Sequence, residues 1–259
     1  MANVNLQIRV YHSTRQWFDY LWEFRSRPYG RAAVLIDLYD TLIRVKPGVR
    51  ESMHAQMAEM LSIDANRLAQ EWESTTYDSN VGGIVDTSAR FAVILERLGV
   101  TGDVDVGKLA QMEHDMLLEN IELGPWAAEF LIQLRRRGYK VGLVSNCSPS
   151  VNWALNASGL RSHFDCEVLS YQIRAVKPDP RIYDHALSLL NCQAQEAYFL
   201  GDGNNGELSA AESCGITPIE VTWASGGREL PSVSNWKRVS DFRMAAELID
   251  EEARWTFSR

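Results

Sequence analysis

The chain has 259 residues, of which 26 are basic and 34 acidic, and its formal net charge at pH 7 is -8. This charge repels nucleic acids and anionic lipids, so neither class of partner is expected. The length allows one large core, or a core with a smaller appended domain. The four cysteines show no CxxC spacing, which disfavours a zinc site or a thioredoxin-like redox motif. The chain start has no basic region followed by an apolar stretch, and no apolar run is long enough to span a bilayer, so a cytoplasmic protein is expected.

The first 31 residues contain more large aromatic side chains than a solvated tail would carry. They include Trp17, Phe18, Tyr20, Trp22 and Phe24, with the apolar Leu21 among them. Such a segment is expected to pack on the core or on a second subunit, which in the second case would make a homodimer.

From Ala32 onward, short apolar runs that end in polar residues or glycine alternate with stretches of helical period. This alternation is typical of a parallel sheet covered by helices on both faces. The runs predict five strands, over residues 33–37, 141–145, 166–170, 197–201 and 217–221. Pro125 and Asp179-Pro180 are start signals for two of the intervening helices. The predicted fold is therefore α/β, with a Rossmann-like parallel core made of residues 32–44 and 122–259.

Residues 45–121 form an insertion between the first two predicted strands that is far longer than an ordinary connection. Apolar residues recur within it at helical spacing, which predicts four amphipathic helices packed as a small bundle. The members of this pattern include Val49, Met53, Met57, Met60, Leu68, Trp72, Phe91, Ile94, Leu95, Leu98, Leu109, Met112 and Met116. The insertion is expected to form a smaller α-helical cap domain over the carboxyl ends of the strands.

Polar side chains follow four of the predicted strands at the point where each strand ends or shortly beyond it. These residues are Asp37 and Thr41, then Ser145 and Asn146, then Lys177, and finally Asp202, Asn204 and Glu207. In open α/β sheets, ligands bind beyond the carboxyl ends of the strands, so these groups are expected to meet in one crevice.

The chemistry of this set indicates a hydrolase with a covalent intermediate. A carboxylate such as Asp37 can attack phosphorus or carbon and form an ester or acyl phosphate that water then cleaves. Asp37 and Asp202 together offer the hard oxygen ligands that Mg2+ prefers, and the metal would offset the repulsion between an anionic nucleophile and an anionic substrate. Lys177 and the Ser145 hydroxyl would hold the remaining phosphoryl oxygens.

The order and spacing of these motifs resemble the haloacid dehalogenase superfamily from Ala33 to Val221. The matching segments are Asp37-x-x-Asp40-Thr41-Leu42, Leu143-Val144-Ser145-Asn146, Lys177-Pro178-Asp179-Pro180-Arg181-Ile182-Tyr183, and Gly201-Asp202 followed by Glu207. The resemblance implies strand order 5-4-1-2-3 and a helical cap between the first and second motifs. It makes Asp37 and Lys177 catalytic, and it adds Asn146 to the residues that bind phosphate.

The same resemblance implies that the backbone carbonyl of Tyr39 joins Asp37 and Asp202 around the Mg2+ ion. Thr41 and Asn204 would support the site. Glu207 would contact either the ligands of the metal or Lys177.

The sequence departs from the phosphatases of this superfamily at one position. They usually carry a second Asp two residues after the nucleophile as general acid and base, whereas this chain has Tyr39, and Asp40 is expected to support the turn instead. A phosphatase then needs a good leaving group, an acid from the cap or the substrate, or slow turnover.

Three functions follow from this departure. The preferred one is a Mg2+-dependent phosphatase that acts on a small phosphorylated, anionic metabolite through an aspartyl-phosphate intermediate. Tyr39 is similar to the 2-haloacid dehalogenases, which makes a carbon-halogen hydrolase the alternative, although Asp202 opposes it because those enzymes lack this residue and need no metal. The third is a non-catalytic binding protein that has kept the fold.

Overall fold

The computed structural model describes residues 33–225 and 236–256, with side chains as far as residue 250. The aromatic segment 1–31, predicted to pack on the core or on a second subunit, lies outside these residues. Eight strands are described: β1 Ala33–Ile36, β2 Ile43–Val45, β3 Ile121–Leu123, β4 Lys140–Ser145, β5 Cys166–Leu169, β6 Ala197–Gly201, β7 Thr217–Val221 and β8 Lys237–Val239. Among the same residues the α-helices are α1 Val49–Leu61, α2 Ala65–Ser74, α3 Thr76–Asn80, α4 Thr87–Leu98, α5 Val106–Asn120, α6 Ala127–Arg136, α7 Val151–Ser158, α8 Ser170–Ile173, α9 Pro180–Leu190, α10 Glu207–Ser213 and α11 Phe242–Thr256.

The core is one parallel sheet of six strands in the order β5-β4-β1-β6-β7-β8. The five predicted strands are all present, and reading from β7 they follow the predicted order 5-4-1-2-3. The sixth strand, β8, was not predicted. Its sequence, Lys-Arg-Val, is too short and too polar to stand out, and it pairs at the edge with β7.

Helices cover both faces of the sheet, because successive side chains of each strand point to opposite sides. In β1, Val34 and Ile36 pack in a cluster with α6, α7 and α11. Ala33 and Leu35 pack in a second cluster with α9 and α10. This doubly covered sheet confirms the predicted α/β class. None of the helices described combines the length and the apolar character that crossing a bilayer requires.

The two predicted helix starts differ in outcome. Asp179 caps α9 as predicted, since its side chain accepts a hydrogen bond of 2.9 Å from the Arg181 backbone and Pro180 is the first helical residue. Pro125 does not begin α6. The next residue, Trp126, has a left-handed backbone with φ 67°, so regular helix begins only at Ala127.

The insertion between β2 and β3 contains five described helices, α1 to α5, where four were predicted. The additional one, α3, is a short helix of mostly polar residues, so no apolar periodicity predicts it from the sequence. The longer helices pack around their own apolar cluster, which includes Met57, Leu68, Phe91 and Leu109. Met60 was assigned to this apolar stripe, but its side chain is 48% exposed.

The insertion is joined to the core by an antiparallel pair of strands. Arg44 of β2 lies opposite Glu122 of β3, and their side chains form an ion pair of 2.9 Å. The chain enters and leaves the insertion side by side through this pair.

The insertion also contacts the core beyond the carboxyl ends of β4 and β5. Ser170 donates a hydrogen bond of 2.7 Å to the Asn80 carbonyl of α3. The rings of His114 and Trp153 meet edge to face at 5.1 Å. Gly82 approaches the core so closely that a Cβ atom there would lie 2.3 Å from the Tyr171 carbonyl oxygen. The helices therefore lie directly over the strand ends that carry the predicted site.

Candidate active site

Asp37 stands immediately after β1, at the centre of the sheet. Its backbone N–H donates a hydrogen bond of 2.9 Å to the Leu200 carbonyl of β6, which continues the sheet by one residue. One carboxylate oxygen, Oδ2, accepts a hydrogen bond of 3.1 Å from the Thr41 hydroxyl. Asp40 has a left-handed backbone with φ 58° and an exposed side chain, as the turn position predicted for it requires.

Lys177 makes the central contact of the site. Its ammonium donates one hydrogen bond to Asp37 Oδ1 and another, of 2.6 Å, to Glu207 Oε2. The side chain of Lys177 is 3% exposed, and those of Asp37 and Glu207 are 8% and 3% exposed. Burial disfavours the charged ammonium, but Asp37 and Glu207 outweigh it and raise the pKa of Lys177 above its usual range. Lys177 is therefore a buried cation between two carboxylates.

Asn146 holds the backbone of Lys177 rather than pointing its amide freely at the crevice. Its Nδ2 donates to the Lys177 carbonyl at 2.9 Å, and its Oδ1 accepts from the Lys177 N–H at 2.7 Å. Both ends of the amide are thus engaged on one residue. These contacts make Asn146 a residue that positions Lys177, and its predicted contact with phosphate stays a prediction.

Ser145 ends β4 and is fully buried. Its hydroxyl oxygen has no hydrogen-bond partner among the described residues. Buried hydroxyls normally find a partner, so an unsatisfied one beside a candidate site is consistent with a contact that only a ligand would complete.

Three carboxylates converge at the site. Asp37, Asp202 and Glu207 each offer one oxygen, and these oxygens all lie within 4.8 Å of one another. The second carboxylate, Asp202, accepts hydrogen bonds from the backbone and the side chain of Asn204. The third, Glu207, accepts from the Gly203 N–H at 3.2 Å, in addition to Lys177. The supporting role predicted for Asn204 thus corresponds to a contact with Asp202, and Glu207 is a direct partner of Lys177.

The carboxylates raise one another's proton affinity. Burial raises the pKa of Asp202 to about 6, and the negative charges of Asp37 and Asp40 add to this, while the Asn204 N–H and Lys177 act in the opposite direction. Burial also raises the pKa of Glu207, against the attraction of Lys177. One ammonium does not balance three crowded carboxylates, so the site favours a further cation.

The donor set fits Mg2+. All the available ligands are oxygen atoms, which is the chemistry that this ion prefers. The Tyr39 carbonyl, predicted as a further ligand, accepts no hydrogen bond from the described backbone or side chains. Asp37 and Asp202 would hold the ion, with Glu207 beside them, and the Tyr39 carbonyl stays a predicted ligand.

A cavity of about 230 Å³ lies between the core and the insertion, beside this site. Its lining includes Tyr39 and Asn146, but not the three carboxylates or Lys177. From the core it is lined by residues of the first two motifs and the loop after them, namely Tyr39, Asn146, Cys147, Ser148 and Ser150. From the insertion, charged and aromatic residues enter it, among them Arg50, Trp72, Arg90 and Glu113.

Arg50, Arg90 and Glu113 were not predicted as site residues. A signal was present for two of them, because Arg90 lies four residues before Ile94 and Glu113 four residues after Leu109, in each case on an apolar face of the helix. A charge inside an apolar stripe indicates a buried polar site. The sequence did not show what these charges face.

A family model described as haloacid dehalogenase-like hydrolase matches residues 32–215, which is well over half of the chain. The chain belongs to the haloacid dehalogenase-like hydrolases. The match spans the four motifs from Asp37 to Glu207 and the whole insertion.

One protein of similar sequence is a pyrophosphatase. Pyrophosphatase PpaX of Bacillus cereus (strain B4264) is 34% identical over 116 residues, which cover 44% of this chain and 52% of that protein. The alignment therefore spans about half the length of this relative.

Two solved structures share the fold over most of their length. A haloacid dehalogenase-family phosphatase from Thermococcus onnurineus has a TM-score of 0.62 at 19% identity, covering 84% of this chain and 97% of that one. The 2-haloacid dehalogenase from Pseudomonas syringae pv. Tomato DC3000 has a TM-score of 0.66 at 19% identity, covering 87% and 99%. Since a phosphatase and a dehalogenase share this fold, the fold does not determine the reaction.

Proposed function

We propose that this haloacid dehalogenase-like hydrolase is a Mg2+-dependent phosphatase that acts on a small phosphorylated metabolite. The observation that carries the proposal is the cluster of Asp37, Asp202 and Glu207, whose oxygens lie within 4.8 Å of one another while Lys177 contacts Asp37. When bound, Mg2+ would neutralise the charge of a phosphoryl group brought up to this cluster. A carbon-halogen bond makes no such demand, because halide leaves without a metal.

Asp37 is the nucleophile of the proposed reaction. A carboxylate oxygen attacks phosphorus while the bond from phosphorus to the leaving oxygen breaks, so Asp37 becomes an aspartyl phosphate. Water then attacks the phosphoryl group, the bond to Asp37 breaks, and inorganic phosphate leaves. Thr41 and Lys177 bond to different oxygens of Asp37, so the carboxylate is held in one orientation.

Lys177 stabilises the charge that develops during transfer. An ammonium has three N–H donors, and Asp37 and Glu207 engage two of them. The third is available for a phosphoryl oxygen, where a fixed positive charge in a buried site acts more strongly than in water.

Tyr39 limits the leaving groups that the enzyme can use. Its phenol has a pKa raised above the usual range, with burial as the main cause and repulsion from Cys147, Glu113 and Asp37 adding to it. A phenol held neutral is a poor proton donor for an alkoxide near pH 7. The chain therefore suits substrates whose leaving group departs as a stable anion.

Pyrophosphate fits this requirement, and the name of the Bacillus cereus relative supports it as a candidate substrate. Its leaving group is phosphate, which needs less protonation than a sugar or glycerol alkoxide. An aryl phosphate has the same property.

The test is hydrolysis of 4-nitrophenyl phosphate and of pyrophosphate by the purified chain, with Mg2+ and with chelator. We expect turnover of at least one of them with Mg2+ and a loss of about a hundredfold or more with EDTA, restored by added metal. A rate of hydrolysis that changes neither with added Mg2+ nor with EDTA would contradict the proposal.

The same preparation tests the carbon-halogen alternative, which Tyr39 favours. Halide release from 2-chloropropionate is expected to be absent. Metal-independent halide release that survives Asp202→Asn would replace the phosphatase with a dehalogenase.

A glycine in β6 gives a second prediction about this site. A Cβ atom on Gly201 would lie 2.1 Å from Glu207 Oε1, so Gly201→Ala must displace the carboxylate that holds Lys177. We expect kcat to fall by about tenfold to a hundredfold and stability to fall by about 1–3 kcal/mol, measured as turnover with Mg2+ and as urea unfolding. Gly107→Ala, on the exposed part of α5, is the matched control and should keep both. Full activity of the Gly201 variant would show that Glu207 does not position Lys177.

A further inference from the structure

The cavity that Tyr39 and Asn146 line beside the candidate site contains two guanidinium groups that the hydrolytic steps do not use. We propose that Arg50 and Arg90 bind a second anionic group of the substrate, a carboxylate or a second phosphoryl group at the end remote from the scissile bond. This inference rests on the proposed function, because it takes the phosphoryl group itself to lie at Asp37.

Arg50 lies on α1, where the insertion faces the loop that joins β1 to β2 and carries Tyr39. It lines the cavity together with Tyr39. The side chain is half-buried, yet among the described residues it forms neither an ion pair nor a hydrogen bond. Because this cation has no partner among the described residues, it is available to a ligand.

Arg90 is held rigidly in the wall of the same cavity. It is 6% exposed, and it donates hydrogen bonds to the Trp72 carbonyl at 2.6 Å and to the hydroxyls of Thr75 and Thr76 at 3.0 and 2.8 Å. Its guanidinium lies 3.8 Å from the centroid of the Trp72 ring. Burial lowers its pKa to about 10, so it remains charged near neutral pH.

The described residues do not supply Arg90 with a carboxylate within ion-pair distance, although a buried guanidinium is ordinarily paired with one. The buried acidic group of the cavity is Glu113, 3% exposed, whose pKa is raised by burial against the attraction of Arg50 and Arg90. Glu73 also lines the cavity, but its side chain is exposed. Two guanidinium groups therefore share one buried carboxyl group, since the other carboxylates that act on them, Asp40 and Glu73, are exposed. An anionic ligand in the cavity would add a buried partner.

The size of the cavity limits the ligand to a small one. Its volume of about 230 Å³ is below the range of roughly 300–1,000 Å³ that is typical of sites for drug-sized ligands. Trp72 and Leu117 supply the apolar part of its wall. The substrate class is thus a small phosphate ester or anhydride whose leaving group is a stable anion and whose other end carries a second anion.

Matched substrates test this inference. Phenyl phosphate esters, whose phenoxide leaves as a stable anion, are compared with a carboxylate, a carboxamide or a second phosphate at the para position of the ring, in the presence of Mg2+. We expect the wild-type chain to prefer at least one of the two charged termini over the carboxamide by about tenfold or more in kcat/KM. Which of the two it prefers distinguishes a carboxylate from a second phosphoryl group.

The variant Arg50→Gln should reduce that preference by about tenfold to a hundredfold, mainly through KM, because a charge-assisted contact is lost. Arg50→Lys should restore part of it. Arg67→Gln, an exposed arginine on α2 of the same insertion, is the control and should keep the wild-type preference.

A binding measurement covers the case in which turnover is slow. Glutarate should raise the Tm of the wild-type chain more than that of Arg50→Gln, and glutaramide should change neither. If charged and uncharged termini are used alike and glutarate has no effect, the inference is wrong while the phosphatase proposal stands.

If neither the esters nor 4-nitrophenyl phosphate are hydrolysed, the phosphatase proposal fails. A glutarate effect that depends on Arg50 would then still support an anion site.

Discussion

Replacing Asp37 by Asn is expected to abolish turnover, with a loss of at least about four orders of magnitude in kcat. The amide is a far weaker nucleophile than the carboxylate, and no other described carboxylate contacts both Thr41 and Lys177. Hydrolysis of 4-nitrophenyl phosphate with saturating Mg2+ measures this directly. Mass spectrometry of the variant is needed as a check, because slow deamidation would regenerate Asp37.

The stability of this variant should move in the opposite direction. Asn at position 37 removes one of three crowded carboxylates, and Lys177 keeps its bond of 2.6 Å to Glu207. We therefore expect a Tm equal to or above that of the wild-type chain. Active sites often hold groups that reduce stability, so that removing one raises stability while activity is lost.

Asp40→Asn is the matched control for Asp37→Asn. Asp40 lies on the same loop, is exposed, and has a left-handed backbone that Asn adopts readily. Its substitution should change kcat by less than about tenfold, which is below the usual effect of a general acid or base. A loss of three orders of magnitude instead would make Asp40 the missing acid, contrary to the turn role assigned to it.

Lys177→Met is expected to reduce both activity and stability. Turnover should fall by about a hundredfold to a thousandfold, because a fixed donor aimed at the transferring group is lost. The free energy of unfolding should fall by about 3–5 kcal/mol, because the substitution leaves Asp37 and Glu207 buried without their cation. Urea unfolding without metal measures the second effect.

The loss of stability in Lys177→Met should depend on pH. Burial already raises the pKa of Glu207, and without Lys177 nothing comparable opposes that rise. The folded state then binds a proton over a range in which the unfolded state has released it, so stability is lost as pH rises above the ordinary value of about 4.5. The variant should thus approach wild-type stability near pH 4 and fall behind it toward pH 8.

Two further variants make the result specific. Adding Glu207→Gln to Lys177→Met should restore part of the stability, since it removes one unpaired charge. Lys108→Met, on the exposed surface of α5, should change stability by less than about 0.5 kcal/mol. A Lys177→Met variant as stable as wild type at every pH would show that the buried pairs do not contribute to the fold.

Tyr39 links the chemistry of the site to its choice of substrate. In place of an acidic side chain, the chain presents a neutral phenol to the cavity that holds Arg50 and Glu113. Tyr39 therefore replaces the Asp that usually serves as general acid, and it also forms part of the cavity wall that a substrate would contact. This is the reason that a good leaving group and a remote anion are proposed for one substrate.

The amino-acid sequence by itself determined the parallel sheet and the meeting of Asp37, Lys177, Asp202 and Glu207. Apolar runs of strand length are a local signal, and the parallel topology then brings the polar residues that follow them to one edge. The order of the motifs along the chain also predicted roles for individual residues. One of the two roles predicted for Glu207, contact with Lys177, is present in the structure.

Only the tertiary structure decided what the insertion offers to that edge. Arg50 and Arg90 come from different helices, and they meet Tyr39 and Asn146 only because the insertion docks on the core through Asn80, Gly82 and His114. Helical periodicity shows which face of a helix is apolar, but not which helix faces a given strand end. Contacts between distant segments depend on how whole elements pack, and that information is not contained in any one stretch of sequence.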